Sequence, residues 1–194
     1  MPHLKQVNGP LGPHYAGSAP AEGTIKKPGG AMTAGAGLAG TGTVYLATVE
    51  QAGPIIKTTI FVDLTGLKSG ASAGDIIGVN ATANCHLGQI TNAVNGKLFK
   101  GTMSCLEVPA TGEPDIDLAS ATVATGTQDA AASGLSGYVL NYDHAADYTA
   151  VGQTANLTSV PVADSYLYLV ASGGADTAVY TAGMVVIELF GYAV

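Results

Sequence analysis

One stretch of the chain has the residue types of an acid–base centre. Asp143, His144 and Asp147 place an imidazole beside two carboxylates, a combination that can exchange protons near neutral pH if the loop converges. The sequence offers no matching nucleophile, because Gly134-Leu-Ser-Gly137 is one residue short of the strained turn that presents a catalytic serine. We therefore predict that the protein is not an enzyme and has no catalytic residues.

A second stretch carries three carboxylates just before a predicted strand. Glu113, Asp115 and Asp117 have the oxygen ligands that a hard cation such as Ca²⁺ prefers. The glycine and the distal glutamate of a twelve-residue calcium loop do not follow in register, and acidic turn residues before a strand are commoner than metal sites. The histidines also lack metal-ligand spacing. We predict no metal site and no cofactor.

The two cysteines of the chain, Cys85 and Cys105, both lie in stretches that read as strands. Two cysteines are too few for a disulfide scaffold, so we favour two buried free thiols over a bridge. Cys85 and His86 are adjacent, and neighbours on a strand point to opposite faces. They therefore cannot act together as a nucleophile and its base.

A glycine motif near the N-terminus matches the letters of a dinucleotide-binding fingerprint. Gly35-Ala-Gly37-Leu-Ala-Gly40 has the G-x-G-x-x-G spacing, but that motif works only between a strand and a helix. Here it follows Lys27-Pro-Gly-Gly30 and precedes another predicted strand. We interpret it as flexible low-complexity sequence, with nucleotide binding as a remote alternative.

Composition excludes several classes of partner. Charged residues make up only 11% of the 194 residues, against about 25% in an average protein. All seven basic residues are lysines, and the net charge is −7. Arginine is the favoured group for reading phosphate and guanine, so we expect no nucleic-acid partner. The negative net charge also disfavours binding to anionic membranes. We find no apolar run of signal-peptide or membrane-spanning length.

The clearest structural signal is a strand from Ile56 to Leu64. Its even-numbered residues are Ile, Thr, Ile, Val and Leu, and they alternate with Lys57, Thr59, Phe61 and Asp63. Successive side chains of a strand point to opposite faces, so the even set can enter a core while the charged residues stay in water.

Further strand signals recur at short spacing, separated by Gly, Asn, Asp and Pro. We predict strands over residues 42–49, 54–64, 75–80, 85–91, 97–108, 116–122, 164–170 and 180–192, and strand or loop over residues 137–142 and 148–162. In the stretch 97–108 the apolar residues move from odd-numbered to even-numbered positions after Cys105, which predicts a bulge there. Residues 127–133 favour a helical turn. The last strand is apolar on nearly both faces, so it is central or lies under a neighbour. The fold class is an all-β antiparallel sandwich, most simply a jelly roll.

Residues 1–40 are predicted to be an extended Gly/Pro-rich arm, followed by one β-sandwich domain over residues 41–194. Proline removes backbone donors and glycine raises the entropy cost of ordering, so the arm is not expected to fold alone. It is either a disordered leader or a segment that becomes ordered against a neighbouring subunit. The candidate partner-binding residues are apolar anchors in the arm and two strand tyrosines: Leu4, Val7, Leu11, Tyr15, Ile25, Met32, Tyr166 and Tyr168.

Several segments resemble a known family. They are Asp63-Leu-Thr-Gly-Leu67, Asp75-Ile-Ile-Gly78, Cys105-Leu-Glu-Val-Pro109, Pro114-Asp-Ile-Asp-Leu118 and the run from Tyr180 to Gly191. Over roughly residues 41–194 the chain resembles small virion structural proteins of tailed phages of marine bacteria. The resemblance implies a capsid decoration or cement protein, bound in many copies to the major capsid protein, and a homotrimer on the virion surface after assembly in the host cytoplasm.

Two other functions stay open at this point. A tail, fibre or head-completion protein would use the same sandwich, and only its copy number per particle separates it from a decoration protein. A carbohydrate-binding module would stack sugars on Tyr138, Tyr142, Tyr166 or Tyr168. The absence of tryptophan, the best stacking residue, argues against sugar binding.

Overall fold

The structure is a computed structural model that describes residues 6–9, 12–15, 32–173 and 177–194. Within these residues the chain is almost entirely β, with one helical turn α1 (Asn92–Asn95) and two 3₁₀ turns, Ala36–Leu38 and Ala132–Gly134. The strands are β1 (Gln6–Gly9), β2 (Gly12–Tyr15), β3 (Val44–Ala52), β4 (Ile55–Asp63), β5 (Asp75–Ile76), β6 (His86–Gln89), β7 (Lys97–Ala110), β8 (Ile116–Ala121), β9 (Val139–Tyr142), β10 (Thr154–Asn156), β11 (Tyr166–Ala171) and β12 (Ala182–Tyr192).

The alternation predicted around Ile60 is confirmed in β4. Ile56, Thr58, Ile60 and Val62 are buried, whereas the odd-numbered side chains between them are half-buried on the other face. The one polar member of the buried set, Thr58, accepts a hydrogen bond from Asn95 Nδ2 at 2.9 Å, which satisfies its hydroxyl inside the core.

A first sheet of long strands is built on β4, in the order β10-β7-β12-β4-β3. All of its pairs are antiparallel, and β12 lies between β7 and β4, so the prediction of a central final strand is confirmed. The pairing of β7 with β12 slips between Glu107 and Cys105, which confirms the bulge predicted near Cys105.

A second antiparallel sheet has the order β5-β11-β8-β9, and β6 also pairs with β11. The main core lies between the two sheets, with Ile60 and Ile187 from the first sheet and Leu118 and Leu169 from the second in one buried cluster. The antiparallel all-β sandwich is therefore confirmed. The narrower jelly-roll connectivity stays a prediction.

Three predicted elements are shorter than expected or displaced. The strand predicted over 75–80 is reduced to β5, and the stretch 148–162, predicted as strand or loop, contains the short strand β10. The helical turn predicted over residues 127–133 is wrong for most of its length, because the 3₁₀ turn begins only at Ala132 and ends at Gly134. Asp129 has a positive φ of 68°, and its amide donates to the carbonyl of Ile76 at 3.0 Å. This long-range bond takes the backbone away from the local helical pattern.

The glycine motif is a packed segment, so its interpretation as flexible sequence is wrong. The amides of Gly35 and Gly37 donate to the carbonyls of His86 and Asn84 at 2.8 and 3.1 Å. A β-carbon on Gly37 would lie 2.3 Å from the sulfur of Cys85. Glycine is needed here for close approach between backbones rather than for phosphate binding. The described end of the predicted arm, residues 32–40, therefore lies against the sandwich.

Candidate functional site

The two stretches singled out for acid–base and metal chemistry meet at one place in the fold. The loop after β9 folds over the chain that enters β8, because the amide of His144 donates to Asp117 Oδ1 at 2.8 Å. The amide of Tyr148 also donates to the carbonyl of Pro114 at 3.1 Å. Sequence reasoning treated these stretches separately, since contacts across about 30 residues leave no local pattern.

Local interactions fix the His144 ring within this loop. Asp143 Oδ1 accepts from the amide of Ala145 at 3.0 Å, which stabilises the tight turn in which Ala145 has a φ of 54°. The imidazole stacks on Tyr148 with ring centroids 4.0 Å apart. Its Nδ1 contacts the carbonyl oxygen of Ala146, which fits the tautomer with the proton on Nδ1.

The carboxylates at this place have unusual proton affinities. Burial, followed by the nearby charge of Asp117, raises the pKa of Asp115 from 3.8 to about 6, and the opposing effect of His144 is smaller. Burial also raises the pKa of Asp117, although the hydrogen bonds from the His144 amide and the Ser172 side chain act in the other direction. Asp115 Oδ1 lies 4.0 Å from His144 Nδ1, too far for a hydrogen bond.

The contacts at this place join the loop after β9 to β8. The hydroxyl of Ser172 is beside a carboxylate, Asp117, whereas an activated serine needs a general base such as an imidazole. Among the described residues no group of three His, Cys, Asp or Glu side chains is placed to hold a metal ion. The arrangement instead anchors the loop after β9 onto the start of β8, and we call it the loop anchor.

The two cysteine thiols are free and buried, as predicted. Cys85 Sγ donates to the carbonyl of Thr82 at 3.1 Å, and burial raises the pKa of its thiol to about 11. Burial likewise raises the pKa of Cys105. Neither thiol forms the thiolate that nucleophilic chemistry needs at neutral pH.

Two of the predicted partner-binding residues are core residues of their own chain. Tyr168 is fully buried and its hydroxyl donates to the carbonyl of Val123 at 2.6 Å. Met32 is buried, with its sulfur 3.4 Å from Asn95 Nδ2. Both predictions took apolar or aromatic character as a sign of a binding surface, but these side chains face inward and are not available to a partner.

The other predicted partner-binding residues have different positions. Tyr166 is half-buried and lines a cleft of ≈ 220 Å³, with its ring edge-on to His86 at a centroid distance of 4.9 Å. Val7 and Tyr15 lie in the strands β1 and β2. Leu4, Leu11 and Ile25 lie outside the described residues.

The tyrosines considered for sugar stacking do not form a platform. Tyr142 and Tyr168 are buried, and Tyr142 accepts a hydrogen bond from the hydroxyl of Tyr148 at 3.3 Å. Tyr138 and Tyr166 are half-buried, each packed against the smaller of the two core clusters. A sugar face would find only partial ring surfaces here.

An apolar row on the outer face of the first sheet was not recognised as a unit from the sequence. Leu46 pairs with Phe61, and Phe61 pairs with Val186 in the next strand, so their side chains are neighbours on the face away from the core. Val44 and Met184 flank the row on either side of Asp63. Leu46 is 60% exposed. We call these five residues the outer row.

The sequence did contain a partial signal for the outer row. β12 is apolar on nearly both faces, and Phe61 interrupts the polar set of β4. What was missing is the strand order, because only the registers of β3, β4 and β12 bring Leu46, Phe61 and Val186 side by side.

No protein-family model, no curated protein and no solved structure matches the chain. In the part of the chain that the structure describes, none of the helical segments has the length and apolarity needed to cross a membrane.

Proposed function

We propose that the chain is a non-enzymatic virion structural protein, a capsid decoration or cement protein that binds the major capsid protein in many copies and stabilises the shell. The observation that carries this proposal is the outer row, an apolar strip on a sheet face that the described chain leaves partly exposed. Contiguous apolar surface of this kind marks interaction sites in proteins.

The polar surface of the sandwich supports the same role. With 11% charged residues, the chain relies on threonine, serine, asparagine and backbone groups at its surface. Such a surface can pack against protein neighbours without the desolvation cost of buried charge. The loop anchor, in which the backbone amide of His144 donates to Asp117 Oδ1, fixes the loop after β9 against β8, which suits a subunit of a repetitive assembly.

Tight attachment to a shell does not require one strong site on each copy. Contacts tethered through an N-terminal arm gain from effective concentration, so several weak contacts together hold a subunit in place. In this proposal the part of the predicted arm that precedes Met32 clamps neighbouring subunits or capsomers, because residues 32–40 pack against their own sandwich. The self-association is that of a homotrimer on the capsid surface, formed after synthesis in the host cytoplasm.

Quantitative mass spectrometry of purified particles that contain this chain tests the proposal. A decoration protein is expected at a copy number comparable with that of the major capsid protein, and gentle removal of the chain should lower the temperature at which the shell opens. A copy number of a few per particle would instead identify a tail, fibre or head-completion component. Absence of the chain from particles would refute a virion role altogether.

A further inference from the structure

The edge of the first sheet at β3 has little of the usual protection against pairing, since Glu50 is its one charged residue. β3 is the last strand in the sheet order, and its nine residues pair with β4 without a register shift. Its sequence, Val-Tyr-Leu-Ala-Thr-Val-Glu-Gln-Ala, contains no lysine or proline. Natural edge strands are normally blunted by such residues, by bulges or by short length.

The other described sheet edges are protected by shortness or irregularity. β10 has three residues and β5 has two. β9 and β6 have four residues each, and both pair with a register shift. β3 is therefore the one long, regular edge among the described strands.

The hairpin of β1 and β2 is a second element in need of a neighbour. Its strands pair over four residues each, from Gln6 opposite Tyr15 to Gly9 opposite Gly12, and they form a separate two-stranded sheet. An isolated two-stranded hairpin is marginally stable in water and needs further strands or a packing surface. In the single chain the hairpin and β3 are not paired with each other.

Chain length and charge both allow the hairpin to reach a second molecule. Sixteen residues separate Tyr15 from Met32, and a chain of that length spans up to about 55 Å. A body of this size is about 40 Å across. Residues 1–31 carry three lysines against one glutamate, a net charge of +2, whereas residues 32–194 carry four lysines against thirteen acidic residues, a net charge of −9. The opposite signs favour contact between the N-terminal segment of one copy and the body of another.

We propose that the β1–β2 hairpin of one copy pairs along the β3 edge of a neighbouring copy and extends its five-stranded sheet. This inference rests on the proposed function, which requires that copies assemble, and it identifies the β3 edge as the surface that receives the N-terminal segment. The outer row ends at Leu46 on β3, so the apolar row and the receiving edge meet on the same strand.

Light scattering and sedimentation of the full-length chain over a range of concentrations test the pairing. Leu46→Lys places a charge on the receiving edge, and Val7→Pro removes a backbone donor inside β1. We expect each variant to weaken self-association by roughly 30-fold or more, and the double variant to add little, because both remove one contact. Val162→Lys is the matched control, since Val162 is 58% exposed on a loop and should leave association unchanged.

Hydrogen exchange provides a second measurement, and its main comparison uses only the wild-type chain at different concentrations. Slower exchange of β3 amides is expected as the wild-type concentration rises, but not in Val7→Pro. A wild-type chain that stays monomeric would overturn the proposal. Association that is weakened by Leu46→Lys but not by Val7→Pro would also overturn it, because β3 would then pair with β3 of another copy. Association that is weakened by Val7→Pro but not by Leu46→Lys would overturn it as well, because the hairpin would then dock elsewhere. Loss of shell binding with self-association intact would count against the proposed function only.

Discussion

Different interactions fix the strands within each of the two sheets of the sandwich. The first sheet has strands of nine to fourteen residues at its centre, and their buried side chains alternate regularly. The second sheet has strands of two to six residues, and its loops are tied by side-chain bonds such as that of Gln128 Nε2 to the carbonyl of Ser69 at 3.0 Å. Burial alone can set the register of a long alternating strand, whereas short strands need specific polar and close-packed contacts.

The largest expected effect tests the role of burial in the first sheet. Ile187→Ala removes a fully buried side chain of β12, and we expect a loss of about 3–4 kcal/mol in the free energy of unfolding. Val186→Ala, on the opposite face of the same strand, should cost below about 1 kcal/mol in a monomeric sample. Urea unfolding measures both, and equal losses would show that the outer face is packed as tightly as the core.

A close-packed contact beside the second sheet gives the next largest effect. In Gly37→Ala the new methyl group overlaps Cys85 Sγ, so we expect about 2 kcal/mol of destabilisation by thermal or urea unfolding. Gly134→Ala is the matched control, because a β-carbon there meets nothing within 4 Å and should be neutral. A neutral Gly37→Ala would mean that residues 35–40 are not fixed against the body.

A buried hydroxyl tests the polar contacts of the second sheet. Tyr168→Phe removes the bond to the carbonyl of Val123 without changing the ring, and we expect a loss of about 1–1.5 kcal/mol. Tyr192→Phe, at an exposed end of the first sheet, should change the free energy of unfolding by only a few tenths of a kcal/mol. If the two variants unfold at the same urea concentration, polar contacts do not distinguish the second sheet.

The loop anchor should make stability depend on pH. The folded-state pKa of Asp115 is about 6 and its ordinary value is 3.8, so between these values the folded state holds a proton that the unfolded state has lost. Stability therefore falls as the pH rises from about 4 to about 6, by on the order of 1 kcal/mol after allowance for solvent screening.

Asp115→Asn should remove this contribution and stabilise the protein above about pH 6. Glu50→Gln on the exposed edge strand is the control variant. Unfolding curves measured from pH 4 to pH 8 check both, and an unchanged pH slope in Asp115→Asn would assign the dependence to another group.

The smallest expected effect lies on the outer face of the first sheet. Lys57 Nζ and Glu188 Oε1 are 2.5 Å apart, but both side chains are about one-third exposed. We expect Glu188→Gln to lower the free energy of unfolding by only about 0.3 kcal/mol, and less at high salt. A loss above about 1 kcal/mol in dilute buffer would mean that this face is shielded from water.

The candidate site was less predictable than the fold. Asp143, His144 and Asp147 were recognised as one group and Glu113, Asp115 and Asp117 as another, but their meeting depends on the pairing of β8 with β9, which places Leu118 opposite Tyr142. Met32 and Tyr168 were assigned to a surface because chemical character does not tell which way a side chain points. The glycines of residues 35–40 looked flexible because a close approach to Asn84 and Cys85 leaves no mark in the local sequence.

The sequence by itself determined the all-β class, the buried set of β4, the central position of β12 and the bulge near Cys105, because a period of two residues reports directly on burial. Only the tertiary structure decided the strand order, the loop anchor and the outer row. Each of these depends on contacts between residues far apart in the chain, and such contacts are set by which strands pair and in which register rather than by any local preference.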